Sequence, residues 1–472
     1  MESNVTLAGD LNKPVRHGIV LALCCLFAAL YGVWLLPHTV ALRNFCIISG
    51  AILSLPIIAV RWRLLFQWKA ASIWMVVLLL VWVTIHLFFI GHDYDRQLLE
   101  YAKIWKKIVI STLFALGLGL ALGSQVSSSK NSKIYWRIIY LGFLLPMIIY
   151  FFKLLVTIYF PHLGYLVPKF LFLSADHLNS PWGIARATYV FFCLPVFALA
   201  LGQIIYIIRA NQFQFKSSFI YLVTIPFTFL VFYIEGDRLG IVYGVLLILM
   251  AVFFGFLPMV RGRQISLKIG ATLLTILLTS GFIVTKSVQS NPQWQAVIAD
   301  AKLAVQVDRY DAWKYNRKTS PGYPVNEMGI VASDSNYMRV AWAIVAAQLL
   351  SQNPLGFGLM SLSFGELSRE KWPDAETSWS HSAWLDFALG YGLPGLLLLL
   401  GAAFLVWRNS QLLPCPWKNI GQWALPSVCL VMIAKEVSSE VNINALIFLI
   451  IFGSSIILVA QSEAHKTEFS ID

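Results

Sequence analysis

The run SFIYLVTIPFTFLVFYI at residues 218–234, the break Glu235-Gly236-Asp237-Arg238 and the run LGIVYGVLLILMAVFFGFL at 239–257 decide the fold. Each run is free of charge and, at about 1.5 Å of rise per residue, reaches across most of a hydrocarbon core roughly 30 Å thick. Backbone amides find no water in lipid, so such runs must close their hydrogen bonds within a helix. The break is then a tight polar turn joining two membrane spans. Runs of the same kind recur near 18–36, 44–60, 73–91, 105–124, 138–160, 184–208, 267–285, 382–407, 423–437 and 442–461, making twelve expected spans. The composition agrees: 58% of residues are hydrophobic and 12% charged, with a mean hydropathy of +0.72. A soluble chain carries about twice that share of charge. The short alternating segments of a membrane β-barrel do not occur.

Charge sets the expected orientation. Loops holding Arg61, Arg63 and Lys69, then Lys130, Lys133 and Arg137, then Arg209 and Lys216, then Arg261, Arg263 and Lys268, then Arg408 and Lys418 fall on one side. No Asp or Glu falls there between residues 11 and 462. Positive loops stay inside, so both termini are expected in the cytoplasm and the intervening loops outside. The same bias accounts for the net charge of +12 without nucleic acid as a partner. The first apolar run ends without a small-residue cleavage site and reads as a retained span rather than a signal peptide. The cysteines, Cys24, Cys25, Cys46, Cys193, Cys415 and Cys429, fall in apolar runs or a basic loop, so no disulfide and no cysteine metal site is expected.

The chain therefore divides into a nine-span region at 1–285, an outer loop at 286–381, a three-span region at 382–461 and a cytoplasmic tail at 462–472. A loop of about 96 residues far exceeds an ordinary connection. Trp294, Val297, Ile298, Ala301, Ala304 and Val305 recur in it at helical spacing. Ser333 or Asp334 is placed to cap a second helix running to about Leu350. The expected result is an all-α polytopic membrane protein with a small helical subdomain on its outer surface.

Cations on the outer side are not needed for insertion. Lys103, Lys106 and Lys107 end the fourth span, Arg238 lies in the four-residue turn and Arg339 lies in the second loop helix. A partner with several negative charges would use them, because arginine grips phosphate oxygens in a planar fork. The plainer readings stand beside this one: Arg238 pairing with Glu235 or Asp237, the lysines snorkelling to headgroups, and Arg339 solvated on a helix face. Where the loop re-enters the membrane, Trp379-Ser380-His381-Ser382-Ala383-Trp384-Leu385-Asp386 sets one histidine in a dense polar and aromatic junction. That imidazole is suited to accept a proton from a sugar hydroxyl, or to sit in an interfacial aromatic belt. Asp386 follows too far round to orient the ring unless the helix starts late. The loop aromatics, Tyr310, Tyr315, Tyr323, Tyr337 and Trp379 among them, suit stacking on sugars or anchoring at an interface. No helical histidine pair, acidic cluster or glycine-rich phosphate loop occurs, so neither a metal nor another cofactor is expected.

Asn336-Tyr337-Met338-Arg339-Val340-Ala341-Trp342, then Asn353-Pro354-Leu355-Gly356-Phe357-Gly358, then His381-Ser382-Ala383-Trp384-Leu385-Asp386 with Gly390, Gly392 and Gly395 resemble the O-antigen ligase and polymerase superfamily. The turn Asp237-Arg238-Leu239-Gly240 resembles that family's earlier arginine motif. The topology match covers nearly the whole chain and the motif match some 70 residues. Asp237 stands where the family often has Ser, and Ala383 and Trp384 where it often has Asn. The resemblance implies a GT-C-like, metal-independent, inverting glycosyltransferase in the bacterial inner membrane. Its donor would be an undecaprenyl-pyrophosphate-linked glycan, and in the ligase branch its acceptor the lipid A–core. Carried onto this chain, Arg238 and Arg339 would hold the diphosphate and His381 would act on the acceptor hydroxyl. Asp237, Tyr337, Trp379, Lys103, Lys106 and Lys107 would complete the binding surface. A polymerase and a protein O-oligosaccharyltransferase share the donor and differ in acceptor; a lipid-linked sugar flippase is the competing class. The long loop is external and late, which argues against a two-halved transporter with a long central cytoplasmic loop.

Overall fold

The computed structural model describes residues 17–126, 131–160, 167–173, 182–210, 214–256, 281–286, 288–289, 296–316, 322–435 and 438–468, with single positions at 274, 278, 294 and 319. In chain order its principal helices are α1 (His17–Trp34), α2 (Val40–Phe66), α3 (Trp68–Ile90), α4 (Tyr94–Gly123), α5 (Ser132–Tyr159), α6 (Arg186–Arg209), α7 (Phe215–Ile234), α8 (Arg238–Phe253), α9 (Val297–Ala304), α10 (Asp334–Gln352), α11 (Ser363–Lys371), α12 (Ala383–Leu412), α13 (Ile420–Val431) and α14 (Glu440–Ser462). Among the described residues nine, α1 to α7, α12 and α14, are long and apolar enough to cross a membrane. By helix length and composition the chain is a multi-pass membrane protein. The shorter apolar helices α8 and α13 coincide with two more of the expected spans. The expected span at 267–285 lies largely outside the described residues.

Hydrogen bonds sort the connections into two ends. At one end Arg61 donates to the Leu120 carbonyl (2.6 Å), Lys69 to the Gln461 carbonyl (3.4 Å) and Trp417 to Ser132 (3.0 Å). These are the basic loops. At the other end Lys107 pairs with Glu440 (2.6 Å), and the 355–360 segment bonds to residues at the end of α3 and the start of α4. Between the ends, α4 lies hard against α14. A Cβ on Gly119 would meet Ser455 Cβ at 2.5 Å, and one on Gly123 would meet Val459 Cβ at 2.6 Å. Small residues four apart let backbones approach where lipid offers no hydrophobic drive.

Two expected boundaries are corrected. The fourth span begins at Tyr94, not 105, with Asp93 accepting from the Arg96 amide (3.1 Å) as its cap. Its added polar residues have protein partners instead of lipid. Arg96 pairs with Glu366 (2.9 Å), Gln97 bonds His86 (3.0 Å), and Glu100 accepts from the Met360 amide and the Tyr391 hydroxyl (both 2.8 Å). The eleventh span was expected to run to 437, but its helix stops at Val431. Lys435, in the segment that follows, is buried and paired with Asp237, a partner that a straight helix through lipid would not offer.

The 297–371 region has its own core, built on Trp313, Tyr337, Ala341, Val345, Leu349, Phe364 and Leu367, and Leu389 of α12 belongs to it. The join is backbone to backbone. Phe357 N–H donates to the Leu389 carbonyl (2.7 Å), Gly358 N–H to that of Gly390 (2.8 Å), and Leu393 N–H to that of Pro354 (2.8 Å). Gly392 opens the helix there, with φ 71° and ψ −178°.

Within the subdomain, the fully buried Asp300 accepts from Asn326 Nδ2 (2.9 Å), the Ser333 amide (3.1 Å) and Asn336 Nδ2 (3.0 Å). Removing it strands the buried Asn326 amide, at about 1–3 kcal/mol for an unsatisfied buried donor, and takes an acceptor from the half-buried Ser333 and Asn336 groups. Asp300→Ala is expected to lower the subdomain's stability by about 1–3 kcal/mol. A lower thermal midpoint in the tryptophan signal is the check, and an unchanged midpoint would show these bonds to be energetically idle.

Candidate functional site

Helix α10 positions the site by its two faces. At 3.6 residues per turn, Ser335, Met338, Arg339 and Trp342 share one face, and these line a cleft. Tyr337, Ala341 and Val345 are turned into the subdomain core. This corrects the expectation for Tyr337. It is fully buried and its hydroxyl donates to the Tyr310 carbonyl (2.9 Å), one helical step away from the cleft.

The cleft has two compartments. One, of about 390 Å³, is lined by Arg186, Arg238, Arg339 and Lys435, with Asp237 the one carboxylate among its described lining residues. The other, of about 230 Å³, is lined by Tyr315, Asn316, Tyr323, Asp334, Met338 and Trp342. Ser335, Arg339 and His381 border both. A region crowded with cations therefore opens directly onto one walled by aromatic rings.

Each charged side chain is held by different means. Arg238 begins α8, whose cap Asp237 accepts from the Gly240 amide (2.8 Å). The Arg238 guanidinium donates to Ser335 Oγ (2.5 Å) and to Asn336 Oδ1 (3.3 Å), and Asn336 is itself fixed by Asp300. The local pairing with Glu235 or Asp237 is not what Arg238 makes; Asp237 pairs with Lys435 instead. Arg339 makes no hydrogen bond or ion pair with any described residue, although it is half-buried. A cation withdrawn from solvent without an acceptor is disfavoured unless an anion visits it.

His381 sits in the left-handed region at φ 56°, an unusual conformation for a residue with a side chain. Its ring stacks on Trp342, with centroids 4.6 Å apart and planes 8° from parallel. The turn is clamped from behind by buried Asp386, which accepts from the Ser380 amide (2.9 Å), Ser380 Oγ (2.6 Å) and Ser438 Oγ (2.8 Å). Asp386 thus holds the backbone ahead of His381, with no hydrogen bond to the ring itself among the described contacts. It also ties that turn to the segment carrying Lys435.

No protein-family model matches the chain. A search of curated proteins returns no match.

Of the residues singled out in the sequence, Arg238, Arg339, His381 and Asp237 come together at the cleft. Lys103 and Lys106 are exposed on α4, and Lys107 is engaged by Glu440, so none of the three lines it. Trp379 is 41% exposed and lies outside the lining. Arg186 and Lys435 belong to the cleft but were not singled out. A signal for each existed: Lys435 stands inside an apparent membrane span, where a charge is costly, and Arg186 is a cation at the end of another that the charge bias puts on the less basic side.

The aromatic compartment is braced by an exposed strap. Asp374 accepts from Lys314 Nζ (3.2 Å) and the Tyr315 hydroxyl (3.0 Å), while Glu376 accepts from the Asn316 amide (3.2 Å) and from Thr319 Oγ1. The Lys314 hydrogen bond draws the Asp374 carboxyl below its usual range, and the Thr319 hydroxyl does the same for Glu376. Both values are lower folded than unfolded. The strap's contribution is therefore present above the ordinary carboxylate range, about pH 4, and fades as pH falls through the depressed values. The protection factor of the Asn316 amide, corrected for intrinsic exchange, is expected to hold from pH 7 to about 5 and to drop below about 4. A constant factor down to pH 3 would show that the carboxylates do not brace it.

Proposed function

We propose that the chain is an inner-membrane glycosyltransferase that moves O-antigen glycan from an undecaprenyl-pyrophosphate carrier to lipid A–core, completing lipopolysaccharide. The observation that carries this reading is the juxtaposition of a cation-lined compartment, an aromatic compartment and His381 at their border. On this reading the protein has twelve spans and both termini in the cytoplasm, with the cleft facing the periplasm. The carrier diphosphate lies against Arg238 and Arg339, and the sugars lie over the rings.

The reaction is one displacement. The acceptor hydroxyl oxygen bonds to the anomeric carbon as the bond from that carbon to the diphosphate oxygen breaks. The proton passes to His381, and the electron pair leaves on the diphosphate, where the guanidinium groups meet the growing charge. Attack opposite the leaving group inverts the anomeric centre. The charge needs no metal to offset it if the arginines do so. Against a flippase stands the position of the cations, which gather at one end of the bundle beside an imidazole instead of lining a path through it.

The test is reconstitution of the purified protein with carrier-linked glycan and two acceptors, lipid A–core and a second carrier-linked unit. A new bond to lipid A–core supports the ligase reading, and elongation of the second unit would make the protein a polymerase. Lipid movement without any new glycosidic bond would overturn the enzyme reading. His381→Ala is expected to leave insertion intact and remove product, and full O-antigen ladders from that variant would exclude it as the base.

A further inference from the structure

We propose that Lys435 is a third phosphate-binding cation of the cleft and that Asp237 is the carboxylate that holds it there before the anion arrives. The inference rests on the reading of the cleft as a diphosphate site.

Lys435 is buried in the segment between α13 and α14 and is ion-paired with buried Asp237. Both residues line the compartment that holds Arg186, Arg238 and Arg339. Stability alone explains this pair poorly. A buried ion pair is seldom worth more than an apolar pair of similar volume, because both charges must first shed water. Nor does capping α8 require a charge: Asp237 Oδ1 accepts from the Gly240 amide, a task that asparagine performs as well. What the carboxylate adds is charge balance among four basic side chains brought to one cavity.

Geometry allows Lys435 to serve two anions. An ammonium has three donors, and the one described acceptor of Lys435 is Asp237. Its remaining N–H bonds can reach phosphate oxygens without the Asp237 contact breaking. The segment is also fixed relative to the reacting centre, since Ser438 donates to Asp386, which clamps Ser380 ahead of His381. Asp386 thus bonds Ser380, the residue before His381, and Ser438, three positions after Lys435. A cation so placed would meet the leaving diphosphate in the same compartment as Arg238 and Arg339.

The test is calorimetric titration of the purified full-length protein with inorganic pyrophosphate, beside glycerol phosphate as a monophosphate control. Lys435→Met alone would strand a buried carboxylate, so the informative variant is the double Lys435→Met with Asp237→Asn, which keeps the helix cap. It is expected to retain the wild-type thermal midpoint and to bind pyrophosphate at least about tenfold more weakly. Asp237→Asn alone removes the partner that holds the buried ammonium and is expected to weaken pyrophosphate binding several-fold; wild-type affinity from the folded variant would show that Asp237 does not position Lys435. If the wild type binds, Arg339→Ala does not, and the folded double variant binds like wild type, Lys435 is a structural partner only and the inference fails while the cleft reading stands. If the wild type does not bind pyrophosphate, or binds glycerol phosphate equally well, the diphosphate reading falls and this inference with it.

Discussion

Arg339→Ala is expected to lower glycan transfer by about 10²–10³-fold, the loss typical when one preorganised donor to a developing anion is removed. The effect should be almost purely catalytic. Arg339 bonds to no described residue, so its removal strands no protein acceptor, and its helix is anchored through the opposite face by Tyr337, Ala341 and Val345. Thermal midpoint and membrane insertion should therefore match wild type. Arg339→Lys is expected to restore little, since an ammonium offers a point charge in place of two parallel donors. Single-turnover transfer from carrier-linked glycan in proteoliposomes is the measurement. Wild-type rates from folded Arg339→Ala would remove the guanidinium from the mechanism and leave the cleft without its border cation.

Gly392→Ala is expected to be nearly as damaging, for a reason of shape alone. Gly392 adopts φ 71° and ψ −178°, a region that residues with a side chain essentially do not occupy, at about 1–3 kcal/mol of strain. A Cβ there would stand 2.4 Å from the Leu355 carbonyl carbon and oxygen and 2.5 Å from the Pro354 oxygen. These are backbone atoms and cannot rotate away. Gly356 faces it in the same interlock, at φ 89°, its own Cβ position 2.4 Å from the Gly392 nitrogen. Relief would require the three backbone hydrogen bonds joining 354–358 to 389–393 to part. Strain, overlap and lost hydrogen bonds together exceed about 4 kcal/mol, the range of exceptional single substitutions. Loss of monodisperse protein from detergent extracts is the expected outcome. A Gly392→Ala protein with wild-type yield and midpoint would show that α12 can straighten freely.

The elements that were legible in the sequence are those whose cause is local. An uninterrupted apolar run dictates a helix wherever water is absent, so the eleven spans that fall on described residues coincide with apolar helices. The Asn353–Gly358 stretch reads as a helix exit because Pro and Gly are the poorest helix formers, and α10 ends at Gln352. The start of α4 was missed because Arg96, Gln97 and Glu100 look like loop residues. Their partners, Glu366, His86, Met360 and Tyr391, lie as much as some 290 positions away in the chain. The same holds within the site. Arg238 and Arg339 stand out as cations on the wrong side of a charge bias, whereas Lys435 hides at the end of an apolar run until its contact with Asp237 is known. Tyr337 reads as one more loop aromatic suited to stack on sugars, but helical geometry turns it to the face opposite Arg339 and into the core.

The shared packing of Leu389 and the backbone join at 354–358 bear on how the 297–371 region can be studied by itself. A fragment cut at residue 381, where the loop meets its span, would leave the Phe357 and Gly358 amides without their acceptors and a gap where Leu389 sits. Such a truncation is expected to be insoluble or only partly ordered. A viable excised body has to carry the first turns of α12 through Leu393, with its lipid-facing positions recoded as polar, and only then does it become a soluble reagent for ligand screening.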